Sequence, residues 1–182
     1  NLVLAFGSVA AIEGAAAGLA RAFPQAHRAG CSTAGEISAD GVADGSLVVT
    51  ALHFDTTDVQ QSTTVLQSME DSEAAGVRLA QSLPQEGLRA VLIFGQGVAI
   101  NGSAVIAGLT RVLGETLPIT GGLAGDGGAF QKTFVLDDQG ASSDRLVAIG
   151  LYGEQLAFSH GSFGGWSPFG PARKVTRAVN NV

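Results

Sequence analysis

The chain holds one cysteine, one tryptophan, one tyrosine and one methionine in 182 residues, and only 14% of its residues are charged. A single cysteine closes no internal disulfide, so nothing implies an oxidising compartment. Lys and Arg number 10 against 16 Asp and Glu, a formal charge of -6. That balance lacks the basic face that nucleic acid or an anionic membrane would require, and neither is expected as a partner. No apolar run approaches the roughly 20 residues of a spanning helix. His-x-x-x-His and Cys-x-x-Cys spacings are missing, which argues against a protein-only zinc site. "GQGVAINGS" (Gly95 to Ser103) lacks both a Walker Gly-Lys-Ser/Thr and the dinucleotide fingerprint. No signal peptide is visible. The chain opens without Met inside "NLVLAF" and closes on "VTRAVNNV"; the expectation is an excised domain of a cytoplasmic protein, with more chain following.

What the sequence does have is 46% apolar residues and 26 glycines. This suits a tightly packed α/β domain with many turns. "LVLAF" (Leu2 to Phe6) and "AVLIF" (Ala90 to Phe94) are short continuous apolar runs, as buried strands require. "AIEGAAAGLARAF" carries Ile12, Leu19 and Phe23 at helical spacings and stops at Pro24. "SMEDSEAAGVRLAQSL" predicts a helix capped by Ser68, and "NGSAVIAGLTRVLGETL" one that runs to Leu117. "AHRAGC", "SLVVTALHF", "DVQQSTTVL", "FQKTFVL", "RLVAIGLYG", "QLAFSHGS" and the final "KVTRAVNNV" read as strands.

The two ends of this series resemble each other. "LVLAFG" matches "VLIFGQ", "RAGCSTAGE" matches "ITGGLAGDG" with one residue of slack, and "SLVVTALHF" matches "RLVAIGLYG". The order in each half is strand, helix, strand, small-residue loop with Ala-Gly-acid, then further strands. The expectation is one mixed α/β domain over residues 1-182 with pseudo-repeat halves at about 1-66 and 90-160. Internally duplicated β-α-β-β-β units would form two mixed sheets with helices on their outer faces.

A pseudo-two-fold arrangement would bring "TAGEIS" and "LAGDGG" to one cleft, at the carboxyl ends of strands where open α/β sheets bind ligands. The candidate residues are Gly30, Cys31, Ser32, Thr33, Gly35 and Glu36 on one side, with Gly121, Gly122, Gly125 and Asp126 on the other. Glycines admit a ligand close to backbone N–H groups. Ser32 and Thr33 add donors, and Glu36 and Asp126 can receive an ammonium group or a cation. An amino acid, with both signs of charge, suits that inventory; two glycine turns with exposed carboxylates is the plainer reading. Cys31 as a nucleophile would need a base and a depressed pKa. No hydrolase signature surrounds it, and a buried filler is the ordinary reading, so no catalytic residue is expected. His27, His53 and His160 lie far apart in sequence, although a single axial histidine suffices for haem. Phe163, Trp166 and Phe169 in "GSFGGWSPFG" suit either a lid or the seam of a following domain.

Taken together, "LVLAF", "GCSTAGEIS", "GGLAGDGGAF" and "GGWSPFGPARKVT" resemble the N-terminal part of the FIST domain, over nearly the whole chain and in the expected order. The resemblance implies a bacterial or archaeal intracellular sensory domain, usually followed by a C-terminal FIST part. It further implies signalling partners such as histidine kinases, diguanylate cyclases or chemotaxis components, and binding of small ligands such as amino acids. Some members of the family are haem proteins that sense nitric oxide and regulate a kinase. By resemblance the pocket falls on Gly30 to Glu36 and Gly121 to Asp126, with Trp166 near the domain seam. It places no haem ligand among the three histidines and leaves the cofactor unassigned. The alternatives to a small-ligand sensor are the haem sensor, an interaction scaffold and an enzyme using Cys31.

Overall fold

The structure is a computed structural model that describes residues 1–161, 164 and 167–178. Its order is β1 (Leu2–Gly7), α1 (Val9–Ala22), β2 (His27–Ser32), β3 (Glu36–Ser38), β4 (Gly41–Ala43), β5 (Leu47–Leu52) and β6 (Asp58–Val65). Then follow α2 (Ser72–Ser82), β7 (Leu88–Gly95), α3 (Gly102–Leu113), β8 (Ile119–Leu123), β9 (Val135–Asp137), β10 (Gly140–Ser142) and β11 (Arg145–Tyr152). One sheet has the order β10-β9-β2-β1-β5, a second β6-β11-β7-β8, and β3-β4 stands alone as a hairpin. The mixed α/β architecture anticipated from the sequence is present.

Side-chain alternation along the central strands builds the layers. On β1, Leu2, Leu4 and Phe6 face the gap between the two sheets, whereas Val3 and Ala5 face α1. On β7, Ala90, Leu92 and Phe94 meet that same gap, and Val91 and Ile93 lie under α2 and α3. A strand covered on both faces must be apolar at every position, which is why both runs read as continuous. Phe6 and Phe94 meet edge-on at 5.4 Å between the sheets. Helices therefore cover the outer faces of a two-sheet sandwich. Burying each Leu or Ile in these layers contributes about 1.5–3 kcal/mol.

The helices begin and end for local reasons. Ser8 caps α1 by accepting from the Ala11 amide, and Asn101 caps α3 by accepting from Ala104. α3 stops at Gly114, which takes φ 85, before it reaches Leu117. α2 is capped later than Ser68: the Ser68–Asp71 stretch forms a turn, Asp71 is the cap, and Ser72 donates its amide to Met69. The α2 and α3 backbones touch, since a Cβ on Gly76 or Gly108 would overlap a carbonyl oxygen of the other helix (Val105 or Glu73). "FQKTFVL" supplies only β9; Phe130–Thr133 stay in a loop held by Asp126. "QLAFSHGS", as far as Gly161, and Lys174–Ala178 form no strand. Phe163, Trp166 and the last four residues lie outside the described residues.

β1-α1-β2 and β7-α3-β8 share a parallel pairing, a following hairpin, and an antiparallel third strand (β5 on β1, β11 on β7). Glu36–Leu52 aligns with Val135–Leu151 without a gap, including the turn glycines Gly41 (φ 115) and Gly140 (φ 113). Gly30 and Gly121 both take φ 148, and a Cβ on either would fall inside the carbonyl oxygen of the facing strand, at Ala5 or Ile93. No rotamer change relieves an overlap with backbone. Gly30→Ala and Gly121→Ala should therefore each lose about 2–5 kcal/mol of stability, combining overpacking and strained φ. Urea unfolding of the two variants checks this, and a loss below about 1 kcal/mol in both would mean the strands separate easily.

Candidate functional site

The strands that carry those two glycines end in the two loops picked out by the sequence, and the loops cross. Thr33 donates its amide to Gly7 at 2.9 Å, and Ala124 donates to Gly95 at 2.8 Å, so each loop leaves its parallel pair in the same way. Gly125 then donates to the Ser32 carbonyl at 2.7 Å. A Cβ on Gly125 would come within 3.0 Å of the Ala34 nitrogen, so a larger residue would push the loops apart. Ser32 is fully buried, and its Oγ accepts the Phe134 amide at 2.9 Å.

Both carboxylates at this crossing tie their own loops together. Glu36 is buried; its Oε1 accepts from the Thr33 hydroxyl at 2.6 Å, and its Oε2 from the Ser46 amide at 3.0 Å and hydroxyl at 2.8 Å. The Thr33 hydroxyl chiefly, then Ser46, holds the carboxyl below its ordinary value against the opposing effect of burial. Asp126 accepts the amides of Phe130 at 2.9 Å, Gln131 at 2.7 Å and Lys132 at 3.2 Å. Those amides, Gln131 first, lower its pKa. Phe130 sits at φ 53, a positive value rare for a residue with a side chain.

Around the crossing lies a pocket of about 520 Å³. Its walls are Ser8, Val9 and Ala10 at the start of α1; Thr33, Ala34 and Glu36; Asp44 and Gly45; and Asp126 and Gly127. α1 runs 14 residues and leaves its Val9 and Ala10 amides without intrahelical acceptors, a positive helix end facing three carboxylates. The pocket thus offers donors for an anion and acceptors for a cation within one cavity. Asp44 is exposed and its side chain reaches Gly35, yet it was not singled out in the sequence, where "ADGS" reads only as a turn. Ser8 and Ser46 were missed likewise. A short acidic turn directly before a strand, following a glycine loop, was the available signal for Asp44.

The remaining sequence candidates are placed elsewhere. Gly35 and Gly125 support the crossing, whereas Cys31, Gly121 and Gly122 line an adjoining apolar slot of about 400 Å³ between the sheets, with Leu4, Phe6, Leu92 and Phe94; Thr33 borders both cavities. Gly30 lies under β1 and reaches neither cavity. Trp166 lies outside the described residues. Burial pushes the Cys31 thiol up to about 12, the opposite of an activated nucleophile. His27 Nδ1 lies 2.6 Å from Asp138, His53 is exposed beside Asp55, and His160 is exposed. None of the three lines the slot or the polar pocket, so the residues described do not form an axial haem site there. No group of three metal-ligating side chains occurs among the described residues.

A profile of the FIST N domain matches residues 1–182, the whole chain. The chain belongs to the FIST N domain family. FIST is a sensory domain family of signalling proteins. A search of curated proteins gave no match to this FIST N domain. Among the described residues no helix is long and apolar enough to cross a membrane.

Two tests follow from the geometry of this FIST N domain. Glu36 has its pKa lowered by folding, so its contribution is present in full above its ordinary value of 4.5 and is lost as pH falls through the lower folded value. Glu36→Gln should cost about 1–3 kcal/mol at neutral pH. The gap to the parent chain should close on acidification below 4.5. Urea midpoints across this range measure it, and a gap independent of pH would contradict the assignment. A buried thiol raised from 9.0 to about 12 should be alkylated more than about tenfold more slowly than a free cysteine near pH 8. Reaction of the folded protein at the free-cysteine rate would show that the slot admits reagent and ionises the thiol.

Proposed function

We propose that this FIST N domain is the ligand-binding part of a sensor, taking small zwitterionic metabolites of the amino-acid class in the pocket at the loop crossing. The observation that carries the reading is the pairing of opposite charge preferences in one cavity of about 520 Å³. The start of α1 suits a carboxylate, and Asp44 with Asp126 suits an ammonium group. Asp44 is the discriminating side chain, because it is exposed and free to turn. Asp126 spends its oxygens on three loop amides and acts mainly through its remaining charge. Specificity beyond this class would come from the ligand's side chain against Val9, Ala10 and Ala34, which leave room for small or polar groups.

No covalent step belongs to this reading. Binding would stabilise the crossing, since a ligand between α1 and the two loops joins elements from both sheets. The signalling partner would then read the altered loops, with a histidine kinase or cyclic-dinucleotide enzyme as the partner class implied by the family.

A thermal-shift screen of the chain against the twenty amino acids tests the proposal. At a hundred times its dissociation constant a ligand stabilises by about 2.7 kcal/mol, roughly 5–10 °C for a domain of this size. Asp44→Asn should remove most of that shift while leaving the unliganded melting temperature within about 2 °C. A shift that survives Asp44→Asn unchanged would move the ligand away from this pocket. No shift with any amino acid would exclude the class.

A further inference from the structure

The two β-α-β units differ in one respect that their shared topology does not require. In the first, the groove between α1 and the outer edge of β2 is filled by the β9–β10 hairpin. Leu136 pairs opposite Gly30 and Val135 opposite Cys31, and Phe134 and Leu136 are buried against α1. In the second, no described residue fills the corresponding groove between α3 and β8. It is an apolar cavity of about 310 Å³ walled by Ile93, Ile100, Val105, Ile119 and Leu146, with Ile106 and Leu123 on its rim, 42% and 49% exposed. Among the described residues β8 ends its sheet with an unpaired backbone edge. A bare strand edge beside an apolar groove is a template for another strand.

The gapless alignment of the units also identifies a strand of suitable shape. β3–β4 corresponds to β9–β10, Ile37 standing where Leu136 stands and Val42 where Ala141 stands. Leu136 is 0% exposed, but Ile37 and Val42 are 77% and 76% exposed. Among the described residues β3 pairs with β4 alone, so its other edge is unpaired too. The molecule carries an unfilled socket and an undocked plug of matching kind.

The chain's own hairpin is held out of its own socket. Three residues, Thr33–Gly35, join β2 to β3, whereas eleven, Ala124–Phe134, let β9 leave β8 and reach the other sheet. Glu36 further ties the hairpin base to Thr33 and Ser46. We propose that the β3–β4 hairpin docks in the α3–β8 groove of a second copy of this chain, and that the exchange is reciprocal. By correspondence with β9 on β2, Ile37 faces Gly121 of the partner subunit. Each copy gives one hairpin and receives one, so the assembly closes as a two-fold dimer rather than growing into a filament. Because the contact is apolar and each copy carries a charge of -6, screening by salt should strengthen it.

Light scattering coupled to size exclusion, on the whole chain over a concentration series, tests this. The mass should rise from 18.3 kDa towards twice that value, and added salt should favour the larger species. Ile37→Asp and Ile106→Asp each change an exposed residue and should leave the circular dichroism intact while holding the chain monomeric. An equimolar mixture of the two variants should regain a dimer, because one keeps its groove and the other its hairpin. If Ile37→Asp fails to fold, Val42→Asp takes its place. A monomer at every concentration would overturn the proposal, as would a dimer that persists in Ile37→Asp. Pairing of hairpin with hairpin would leave Ile106→Asp dimeric, and that result would overturn it equally.

Discussion

Backbone pressed against backbone is the constraint on which this structure depends. β2 lies so close to β1 that Gly30 meets the Ala5 carbonyl, and β8 repeats this with Gly121 and Ile93. Gly97 is pressed equally against the Ala124 carbonyl, and Gly125 sits less tightly against Ala34. These approaches set where each parallel pair ends, and hence where the two loops emerge. They also account for glycine at these particular positions, where a side chain would not fit. Beyond the loops, Gly76 and Gly108 let α2 and α3 pack at the same closeness on the outer face.

From this follows the division of labour around the pocket. Glu36 and Asp126, both candidate ligand contacts, already accept hydrogen bonds from their own loops. A buried carboxylate with three hydrogen bonds is a fastening, and the cost of removing one partner would fall on the loop. In the proposed reading, ligand recognition falls mainly to groups that cost little to expose: the first amides of α1 and the side chain of Asp44. On that proposal a rigid frame presents a few free groups, and occupying them would tighten what already exists.

Much of the fold was legible in the sequence because it depends on alternation. The continuous apolar runs at Leu2 and Val91 marked strands buried on both faces, and the helix before Pro24 was plain. The likeness between "GCSTAGE" and "GGLAGDG" pointed to two related loops, although not to their crossing. What was not legible lay in short elements and in hydrogen bonds. "EIS" and "GVA" are too brief for any period, so the β3–β4 hairpin went unread. Ser68 and Asp71 both suit a cap, and only the turn at Met69 decides between them. "QLAFSHGS" has the alternation of a strand but finds no paired edge among the described residues. At the site, residue type suggested free carboxylates; only geometry shows which oxygens are already engaged, and that Asp44 joins them.

The central claim is that the loop crossing, with the start of α1, forms one ligand-binding surface. Its most direct test is a two-dimensional amide NMR titration of the chain with the amino acids, in pools and then singly. The account predicts shifts concentrated at Val9, Ala10, Ala34, Asp44 and Gly127, elements far apart in sequence responding with one dissociation constant. Shifts confined to the apolar slot around Leu4, Phe94 and Gly122, or no saturable shifts at all, would contradict it.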